Sequence, residues 1–399
     1  PLPPPSSGAQ PSPQEGGGLV PIVAITGTNG KSTTTVMTYL ALRECGIDAV
    51  LCGNIFGTGL PEVPLTEAAL HATPDQVLVA EISSFQLEWV SRFRPAVAGI
   101  TNITPDHLDR YDSFEQYAAT KMRIFAAEGE GDYAVVDRST AFQPRSDATV
   151  LTFGAQGEHA QILEDEIRIL NKTIKTEDMH VIGNHNYANA AMAGLIAFAT
   201  LRWISDFGSR IADLPDGRSQ AVSASVALAL LNEALQSDIR HPTSDILPEP
   251  IITALRAFKG IEHRMEYLGE KGGVKVINNS MCTNPDAVVK SAQAVKGPNH
   301  LIMGGKDKDL PFTPVRNYLA SGMHRAYLFG EAKEVLNKQL GGGFPTYNTL
   351  QEAFRAATDK ARPGEVIMLA PGCASTDQFN DFRDRGNVFK KFAKEWLES

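Results

Sequence analysis

The sequence predicts an α/β protein with two successive sheet domains. Short apolar runs alternate with helical patterns from residue 19 to about residue 260, and the same alternation starts again at Ile261. Such alternation is typical of parallel strands joined by crossover helices. A glycine-rich turn directly after the first apolar run is a further observation. Together they predict a P-loop-type, mostly parallel sheet domain over residues 19–260 and a smaller, Rossmann-like α/β domain over residues 261–399.

The first predicted strand, residues 19–25, leads into the turn G-T-N-G-K-S-T at residues 27–33, and a helix-compatible segment follows. A strand, a glycine-rich turn and a helix in this order form a phosphate-binding loop, whose backbone N–H groups hold a polyphosphate. Lys31 would reach the terminal phosphates, and the Ser32 hydroxyl would ligate Mg²⁺. The turn is shorter than the common G-x-x-x-x-G-K-[ST] pattern, but its setting favours phosphate binding over a plain surface turn. A nucleoside triphosphate is therefore the first substrate hypothesis.

A second predicted strand, residues 77–82, carries a carboxylate, Glu81, at its end. Because ligands of parallel sheets gather at the carboxyl ends of the strands, we expect Glu81 near the phosphate-binding loop. Mg²⁺ prefers oxygen ligands and keeps several waters, so Glu81, Ser32 and phosphate oxygens would suit it. The alternative is a carboxylate that only caps the following helix.

The third predicted strand, residues 96–102, ends at Asn102 and is followed by Asp, His, Asp and Arg in close succession. His107 stands just past this strand end, where an imidazole can ligate a metal or hold a phosphate. A single histidine is more often structural, but this position in a nucleotide-binding domain favours a functional role. Lys121, taken by itself, is expected to be an exposed helix residue.

The rest of the chain predicts the remaining elements without assigning chemistry to them. A further strand is predicted at residues 133–136, short antiparallel strands near 151–178 and a helix at 186–201. Residues 206–247 mix Pro, Ser, Asp and Ala, which predicts an inserted, partly flexible segment with one helical piece at 222–235. The strands predicted for the second domain are residues 274–277, 300–303, 326–329 and 366–369.

Composition excludes several classes of protein. No apolar run reaches the roughly 18 residues of a membrane span, so no membrane partner is expected. A net charge of −9 gives no general basic field for nucleic acid. The four cysteines are scattered without a C-x-x-C pair, which suits a reduced, cytoplasmic protein better than a disulfide scaffold or a zinc site.

Residues 1–18 consist of Pro, Ser, Gly and Gln with a few other residues and a single charge, Glu15. The segment has neither a basic region nor an apolar core, so it is not a signal peptide, and it is typical of a disordered linker. A linker at this place suggests that another segment once preceded it.

Five motifs occur in a fixed order along the chain. They are G-T-N-G-K-S-T, E-I-S-S-F-Q-L-E, N-I-T-P-D-H-L-D-R-Y, G-N-H-N-Y-A-N-A and A-P-G-C-A-S-T-D-Q-F-N-D-F-R-D-R-G. Together they resemble the Mur ligase family over roughly residues 20–396, without the insertion. Five ordered motifs are far more specific than any one of them.

The resemblance implies an ATP-dependent ligase that forms an amide bond through an acyl phosphate in peptidoglycan precursor synthesis. Within the family, the motifs are most similar to the branch that adds D-glutamate to UDP-N-acetylmuramoyl-L-alanine. ATP and two Mg²⁺ ions are the implied cofactors. Members of the family begin with a domain that binds the UDP portion, so a separate N-terminal domain or chain is a further implied partner; truncation and a substrate without UDP are the alternatives.

The resemblance also implies roles for single residues. The implied catalytic residues are Lys31, His107, Lys121 and Arg264. The implied ATP-binding residues are Gly27, Thr28, Asn29, Gly30, Lys31, Ser32, Thr33, Asn186, Asn189 and Arg264. The residues implied to contact the muramoyl substrate or D-glutamate are Asn54, Ser83, Thr283, Lys308, Ser375 and Phe382. The implied metal ligands are Ser32, Glu81, His107 and, if carbamylated, Lys121.

The chain departs from the family pattern at two positions. Asn279 stands where Asp is usual, and Met281 stands where Lys is usual. These departures leave the amino-acid specificity open, although Lys308 and Ser375 favour D-glutamate. Two other functions stay open: a folylpolyglutamate-type ligase of the same family, and a nucleotide-binding assembly subunit with impaired catalysis.

Overall fold

The computed structural model describes residues 20–104, 110–181, 183–212 and 246–399, without the side chains of residues 207–212. The predicted linker at 1–18 and the predicted helical piece at 222–235 lie outside the described residues. So does His107.

The first domain is built on a parallel sheet, as predicted. Its strands, in chain order, are β1 (Ile22–Thr26), β2 (Asp48–Gly53), β3 (Glu62–Val63), β4 (Gln76–Glu81), β5 (Val97–Ile100), β6 (Tyr133–Asp137) and β7 (Thr149–Phe153). In the described residues they lie in the order β3-β2-β4-β1-β5-β6-β7, and every neighbouring pair is parallel. The central strands are buried on both faces, which explains their continuous apolar runs.

Helices cover both faces of this sheet. They are α1 (Lys31–Glu44), α2 (Leu65–His71), α3 (Ser84–Leu87), α4 (Phe114–Met122), α5 (Asn184–Ala212) and α6 (Glu249–Ala257). Helix α1 packs against α5 and α6. Helix α5 also packs closely on β5, where a Cβ atom at Gly99 would lie 2.4 Å from the Met192 Cε atom, so this side chain would have to move. Helix α5 continues to Ala212, into the first residues of the insertion predicted at 206–247.

A small antiparallel sheet follows β7. Its strands are β8 (Ala160–Ile162), β9 (Glu166–Ile169) and β10 (Lys172–Lys175), in the order β10-β9-β8. The prediction of short antiparallel strands near residues 151–178 is confirmed for residues 160–175, whereas β7 joins the large sheet instead.

The second domain carries a separate sheet. Its strands are β11 (Glu266–Lys271), β12 (Val274–Asn278), β13 (Asn299–Gly304), β14 (Arg325–Phe329), β15 (Thr346–Tyr347) and β16 (Val366–Gly372). Their order is β11-β12-β16-β13-β14-β15, and all pairs except β11–β12 are parallel. Sequence analysis missed the edge strand β11 because its residues are half-exposed and carry no apolar alternation. The helices of this domain are α7 (Pro285–Gln293), α8 (Thr313–Leu319), α9 (Lys333–Leu340), α10 (Leu350–Thr358) and α11 (Phe382–Glu398).

Composition predicts neither a membrane span nor a disulfide scaffold. Among the described residues, no helix is both long enough and apolar enough to cross a bilayer. The four cysteines are all buried free thiols.

One buried carboxyl group, that of Glu128, lies shortly before the amino end of β6, and it belongs to none of the predicted site residues. Glu128 is 7% exposed, and neither of its carboxyl oxygens forms a hydrogen bond of normal geometry within the described residues. Burial and then the Asp132 carboxylate raise the pKa of Glu128 to about 9. The group is therefore protonated in the folded protein at neutral pH.

We predict that Glu128→Gln stabilises the protein in a pH-dependent way. The folded state binds the Glu128 proton more tightly than the unfolded state does, so wild-type stability is lost as pH rises from the ordinary value of 4.5 towards about 9. A neutral glutamine avoids this loss. Chemical denaturation should show a gain of about 1–3 kcal/mol at about pH 8 and almost none near pH 5. Glu130→Gln, at an exposed position two residues away, is the matched control; a gain that does not change with pH would contradict the assignment.

Candidate active site

A cavity of about 520 Å³ lies where carboxyl ends of strands from both sheets meet. Residues directly after β1, β2 and β12 line it, together with Glu81 at the end of β4. This is the place at which α/β sheets bind ligands, because the loops there diverge and leave a crevice. The lining residues are Thr28, Asn29, Gly30, Lys31, Ser32, Asn54, Phe56, Glu81, Arg264, Met265, Asn279, Met281, Cys282, Asn284, Ala287, Lys290 and Ser291.

The predicted phosphate-binding loop forms one wall of the cavity. Gly30 is the N-cap of α1 and has a φ of +83°, in the left-handed region that favours glycine. A Cβ atom at this position would lie 2.3 Å from the Asn189 Oδ1 atom. Because Gly30 has no side chain to cap α1, the first N–H groups of the helix stay available to an anion. The loop therefore has the geometry that polyphosphate binding needs.

The segment after β5 holds this loop in place. The Thr28 N–H donates to the Asn102 carbonyl oxygen at 2.9 Å, and the Asn29 N–H donates to the Asn102 Oδ1 atom at 3.0 Å. The Thr101 hydroxyl donates to the Asn29 carbonyl oxygen at 2.6 Å. From the sequence, Asn102 is only the last residue of a predicted strand, and Thr101 has no predicted role. Their role depends on the β1–β5 pairing, which sequence does not give.

Lys31 and Ser32 lie at the start of α1, as predicted. The Lys31 ammonium donates to the Thr28 carbonyl oxygen at 3.0 Å, so it reaches back over the loop. The Ser32 hydroxyl accepts a hydrogen bond at 2.9 Å from Nη1 of Arg264, which comes from the other domain. Burial in the cleft lowers the pKa of Arg264, and the Glu81 carboxylate opposes this shift. The two cationic side chains and the Ser32 hydroxyl thus line the same cavity.

Glu81 has the features of a metal ligand. It is 3% exposed, and its Oε1 atom accepts a hydrogen bond of 3.4 Å from the Asn54 amide. Its Oε2 atom is buried and has no hydrogen-bond partner in the described part of the chain. A buried carboxylate oxygen without a partner is costly, and a hard cation would satisfy it. The alternative role as a helix cap is wrong, because Ser83 caps α3 by accepting from the Gln86 N–H at 3.3 Å.

The structure does not describe every residue that the family resemblance implies as a metal ligand. His107 lies outside the described residues. Within those residues no group of three His, Cys, Asp or Glu side chains could by itself hold a metal ion. A cation at Glu81 would therefore need oxygen atoms from phosphate and water, as Mg²⁺ does in nucleotide sites.

Lys121 is buried, contrary to what the residue alone suggested. It is 2% exposed, and its ammonium donates to the Gly27 carbonyl oxygen at 2.8 Å while lying 4.8 Å from the centre of the Tyr117 ring. Helix α4 packs under the phosphate-binding loop, which carries Lys121 to the back of the site. The position of a lysine along one helix gives no sign of such burial.

Asn186 and Asn189 face the same loop from the first turns of α5. The Thr34 hydroxyl donates to the Asn189 Oδ1 atom at 3.3 Å, and the Asn189 amide donates to the Asn186 Oδ1 atom at 3.5 Å. Both residues are buried. They link α5 to α1 directly beside Gly30.

The residues predicted to contact the other substrates fall into separate groups. Asn54 lines the cavity, whereas Ser83 serves as the α3 cap and does not line it. Lys308 donates to the Thr283 carbonyl oxygen at 3.1 Å and to its hydroxyl at 3.4 Å, so these two lie together. Ser375 is buried in the loop before α11, and Phe382 is the first residue of that helix. None of Thr283, Lys308, Ser375 and Phe382 lines the cavity.

The two residues that depart from the family pattern, Asn279 and Met281, both contact the segment that carries Arg264. The Asn279 Oδ1 atom accepts from the Met265 N–H at 3.1 Å, and its amide donates to the Ser291 hydroxyl at 2.8 Å. The Met281 sulfur lies 3.2 Å from Nε of Arg264. Ser291 and Lys290, on α7, line the cavity and were missed by sequence analysis, since a polar helix face looks like any solvated surface.

Comparison with known families matches both domains. The model of the Mur ligase middle domain matches residues 25–197, and that of the Mur ligase, glutamate ligase domain, matches residues 263–373. The chain is 36% identical over 385 residues to a UDP-N-acetylmuramoylalanine–D-glutamate ligase of Caldanaerobacter subterraneus subsp. tengcongensis, covering 93% of this chain and 74% of that protein. It is 35% identical over 390 residues to the ligase of the same name from Koribacter versatilis, covering 94% and 75%.

Solved structures with low sequence identity share the fold. A UDP-N-acetylmuramoyl-L-alanyl-D-glutamate–2,6-diaminopimelate ligase superimposes with a TM-score of 0.59 at 16% identity, over 95% of this chain and 79% of that chain. The MurF ligase of Thermotoga maritima, solved in complex with ADP, gives a TM-score of 0.57 at 16% identity, over 95% and 81%. These two similarities support the architecture of two α/β domains.

We predict that Gly30→Ala weakens ATP binding by about tenfold or more, because the new methyl group would displace the Asn189 amide and force a left-handed φ on alanine. Calorimetric titration with ATP measures the effect. Gly322→Ala is the matched control, since Gly322 has a φ of +73° but no neighbouring atom within 4 Å of the place that a Cβ atom would take. If both variants lost ATP affinity equally, the loss would come from backbone strain in general and not from the geometry of the phosphate-binding loop.

Proposed function

This chain belongs to the Mur ligase family, and we propose that it joins D-glutamate to UDP-N-acetylmuramoyl-L-alanine with the consumption of ATP. One observation carries the proposal: Lys31, Ser32 and Glu81 of the first domain share a cavity with Arg264 of the second. Such a cleft can hold a triphosphate beside a carboxyl group. The names of the relatives support the choice of D-glutamate and of the muramoyl-alanine donor.

In the proposed reaction, the donor carboxylate attacks the γ-phosphorus of ATP and ADP leaves, which gives an acyl phosphate. The amino group of D-glutamate then attacks the activated carbonyl carbon, loses a proton and expels inorganic phosphate. One amide forms for each ATP converted to ADP and phosphate. Amide formation from a free carboxylate is unfavourable in water, so ATP supplies the driving force.

In this scheme, the positively charged side chains of the cleft neutralise negative charge on the phosphate groups. Lys31 and Arg264 both contact the phosphate-binding loop and line the same cavity, where they would neutralise the phosphoryl oxygens in the transition state. The α1 N–H groups would hold the remaining phosphates, with Asn186 and Asn189 supporting the loop from behind. Positioning and charge neutralisation supply most of the catalysis in phosphoryl transfer.

Mg²⁺ fits the donor atoms that the cleft presents. Glu81, whose Oε2 atom has no hydrogen-bond partner among the described residues, and Ser32 would hold one ion. His107 with a carbamylated Lys121 would hold a second. When bound, Mg²⁺ would neutralise phosphate charge and fix the orientation of the transferring group. Two domains that enclose the reactants would also exclude water, which hydrolyses an acyl phosphate.

The acceptor amino acid is proposed to bind next to this cleft. Thr283 and Lys308, which are in contact, and Ser375 and Phe382, near the start of α11, would hold the incoming D-glutamate. Asn54 and Ser83 would face the muramoyl substrate. The names of the relatives described above favour the D-glutamate ligase over the folylpolyglutamate-type activity and the assembly-subunit role. The cytoplasmic location and a separate UDP-binding domain remain predictions.

The function is tested by phosphate release from ATP. We expect release that requires both UDP-N-acetylmuramoyl-L-alanine and D-glutamate, and none with L-glutamate or with D-aspartate. Lys31→Ala should reduce turnover by about a thousandfold or more without changing the melting temperature by more than a few degrees, because a loop lysine contributes little to stability. Turnover with another amino acid and none with D-glutamate would exclude the proposed acceptor.

The carbamate role of Lys121 has its own test. Lys121→Ala should lose most of its turnover, and added short carboxylates such as acetate should restore part of it by replacing the lost negative group. Arg123→Ala, two residues along and at the α4 C-cap, is the matched control. Rescue of the Arg123 variant, or no rescue of the Lys121 variant that still folds, would show that the carboxylate is not needed at Lys121.

A further inference from the structure

Arg385, on α11, is a fully buried cation outside the cavity. Its Nε atom donates to the Ser280 hydroxyl at 3.0 Å, and its Nη2 atom donates to the Ser280 carbonyl oxygen at 2.8 Å. Its Nη1 atom donates to the carbonyl oxygens of Cys373 at 3.2 Å and Ala374 at 3.1 Å, and lies 3.5 Å from that of Gly304. One guanidinium group therefore joins three separate backbone segments.

These three segments follow one another in space, although they are far apart along the chain. Ser280 comes two residues after β12, Gly304 ends β13, and Cys373 follows β16. All three are carboxyl ends of adjacent parallel strands, where the loops of an α/β sheet approach a ligand. The planar five-donor geometry of arginine suits such a set of carbonyl oxygens, which lysine cannot reach together.

The charge of Arg385 is not neutralised by a direct partner. Among the described residues no carboxylate lies within ion-pair distance of it, and Asp377 acts on it only from farther away. Burial lowers the pKa of Arg385 to about 10, so the side chain stays charged at neutral pH. An unneutralised buried cation is costly, and it makes the surrounding loops attractive to anions.

We propose that Arg385 is a positioning residue for the acceptor amino acid, an inference that rests on the proposed function. Each segment that it binds leads directly into a predicted acceptor contact: Thr283 lies three residues after Ser280, Lys308 four after Gly304, and Ser375 directly after Ala374. Arg385 fixes the relative positions of these three loops. Its positive charge also favours binding of a dicarboxylic amino acid.

A second link supports this role. The Ser280 hydroxyl, which accepts from Arg385, donates to the Phe382 carbonyl oxygen at 2.7 Å. Phe382 is itself a predicted acceptor contact at the start of the same helix. Arg385 thus binds the loops that lead into Thr283, Lys308 and Ser375, and it reaches Phe382 through Ser280. Its hydrogen bonds within the described residues include none to the phosphate-binding loop.

The test compares Arg385→Met and Arg385→Lys with Lys394→Met. The methionine variant removes the donors and the charge, the lysine variant keeps the charge, and Lys394 is an exposed cation on the same helix. We expect KM for D-glutamate to rise by about tenfold or more in Arg385→Met and less in Arg385→Lys, with KM for ATP within about twofold of wild type. Lys394→Met should resemble wild type in both constants.

Hydrogen exchange of the free protein provides a readout that does not need activity. In Arg385→Lys and Arg385→Met, amides of residues 280–284, 304–308 and 373–376 should exchange faster, while those of residues 27–36 keep wild-type rates. If wild type shows no D-glutamate-dependent turnover, the proposed function fails, yet the exchange still decides whether Arg385 orders these loops. Unchanged exchange in both variants, or parallel rises of KM for D-glutamate and ATP, would overturn the inference. If Arg385→Met does not fold, Arg385→Lys alone decides on the same criteria.

Discussion

The contact between Arg264 and Ser32 is the interaction on which the site depends. The phosphate-binding loop belongs to one sheet and Arg264 to another, so neither domain alone presents the complete set of groups around a triphosphate. Met281 and Asn279 brace the arginine from the second domain, and Asn102 and Thr101 brace the loop from the first. A reaction that joins two substrates benefits from this arrangement, because each domain can carry one substrate to the shared phosphate.

Several buried charged side chains lie at or next to the proposed functional site. Glu81 keeps one carboxylate oxygen without a hydrogen bond, Lys121 lies under the phosphate-binding loop, and Arg385 joins three strand ends without an ion pair within the described residues. Each is costly by the usual rules of burial. All three lie at the carboxyl ends of strands, next to the cleft or to the neighbouring acceptor loops. Glu128 also is buried, but it lies at the opposite end of the first sheet, and its effect is on stability.

Prediction from sequence was accurate where the signal is local. The strands around residues 77–82 and 366–369 were recognised from continuous apolar runs, and the loop at residues 27–33 from its glycines and its lysine. The edge strand β11 was missed because half-exposed residues lack such a run, and the end of α5 at Ala212 was not recognised because the helix continues into the polar segment. Lys121 was expected at the surface, since helical spacing does not tell which face of α4 meets the loop.

The sequence by itself determined the fold class, the glycine-rich turn between β1 and α1, and the family, because these depend on neighbouring residues and on ordered motifs. Only the tertiary structure decided which distant residues share the cleft. It brings Arg264 to Ser32 across 232 positions, and it sets Ser280, Gly304 and Ala374 around one arginine. The physical reason is that the pairing of parallel strands brings loops together according to strand order in the sheet, and that order is fixed by long-range packing rather than by any local pattern.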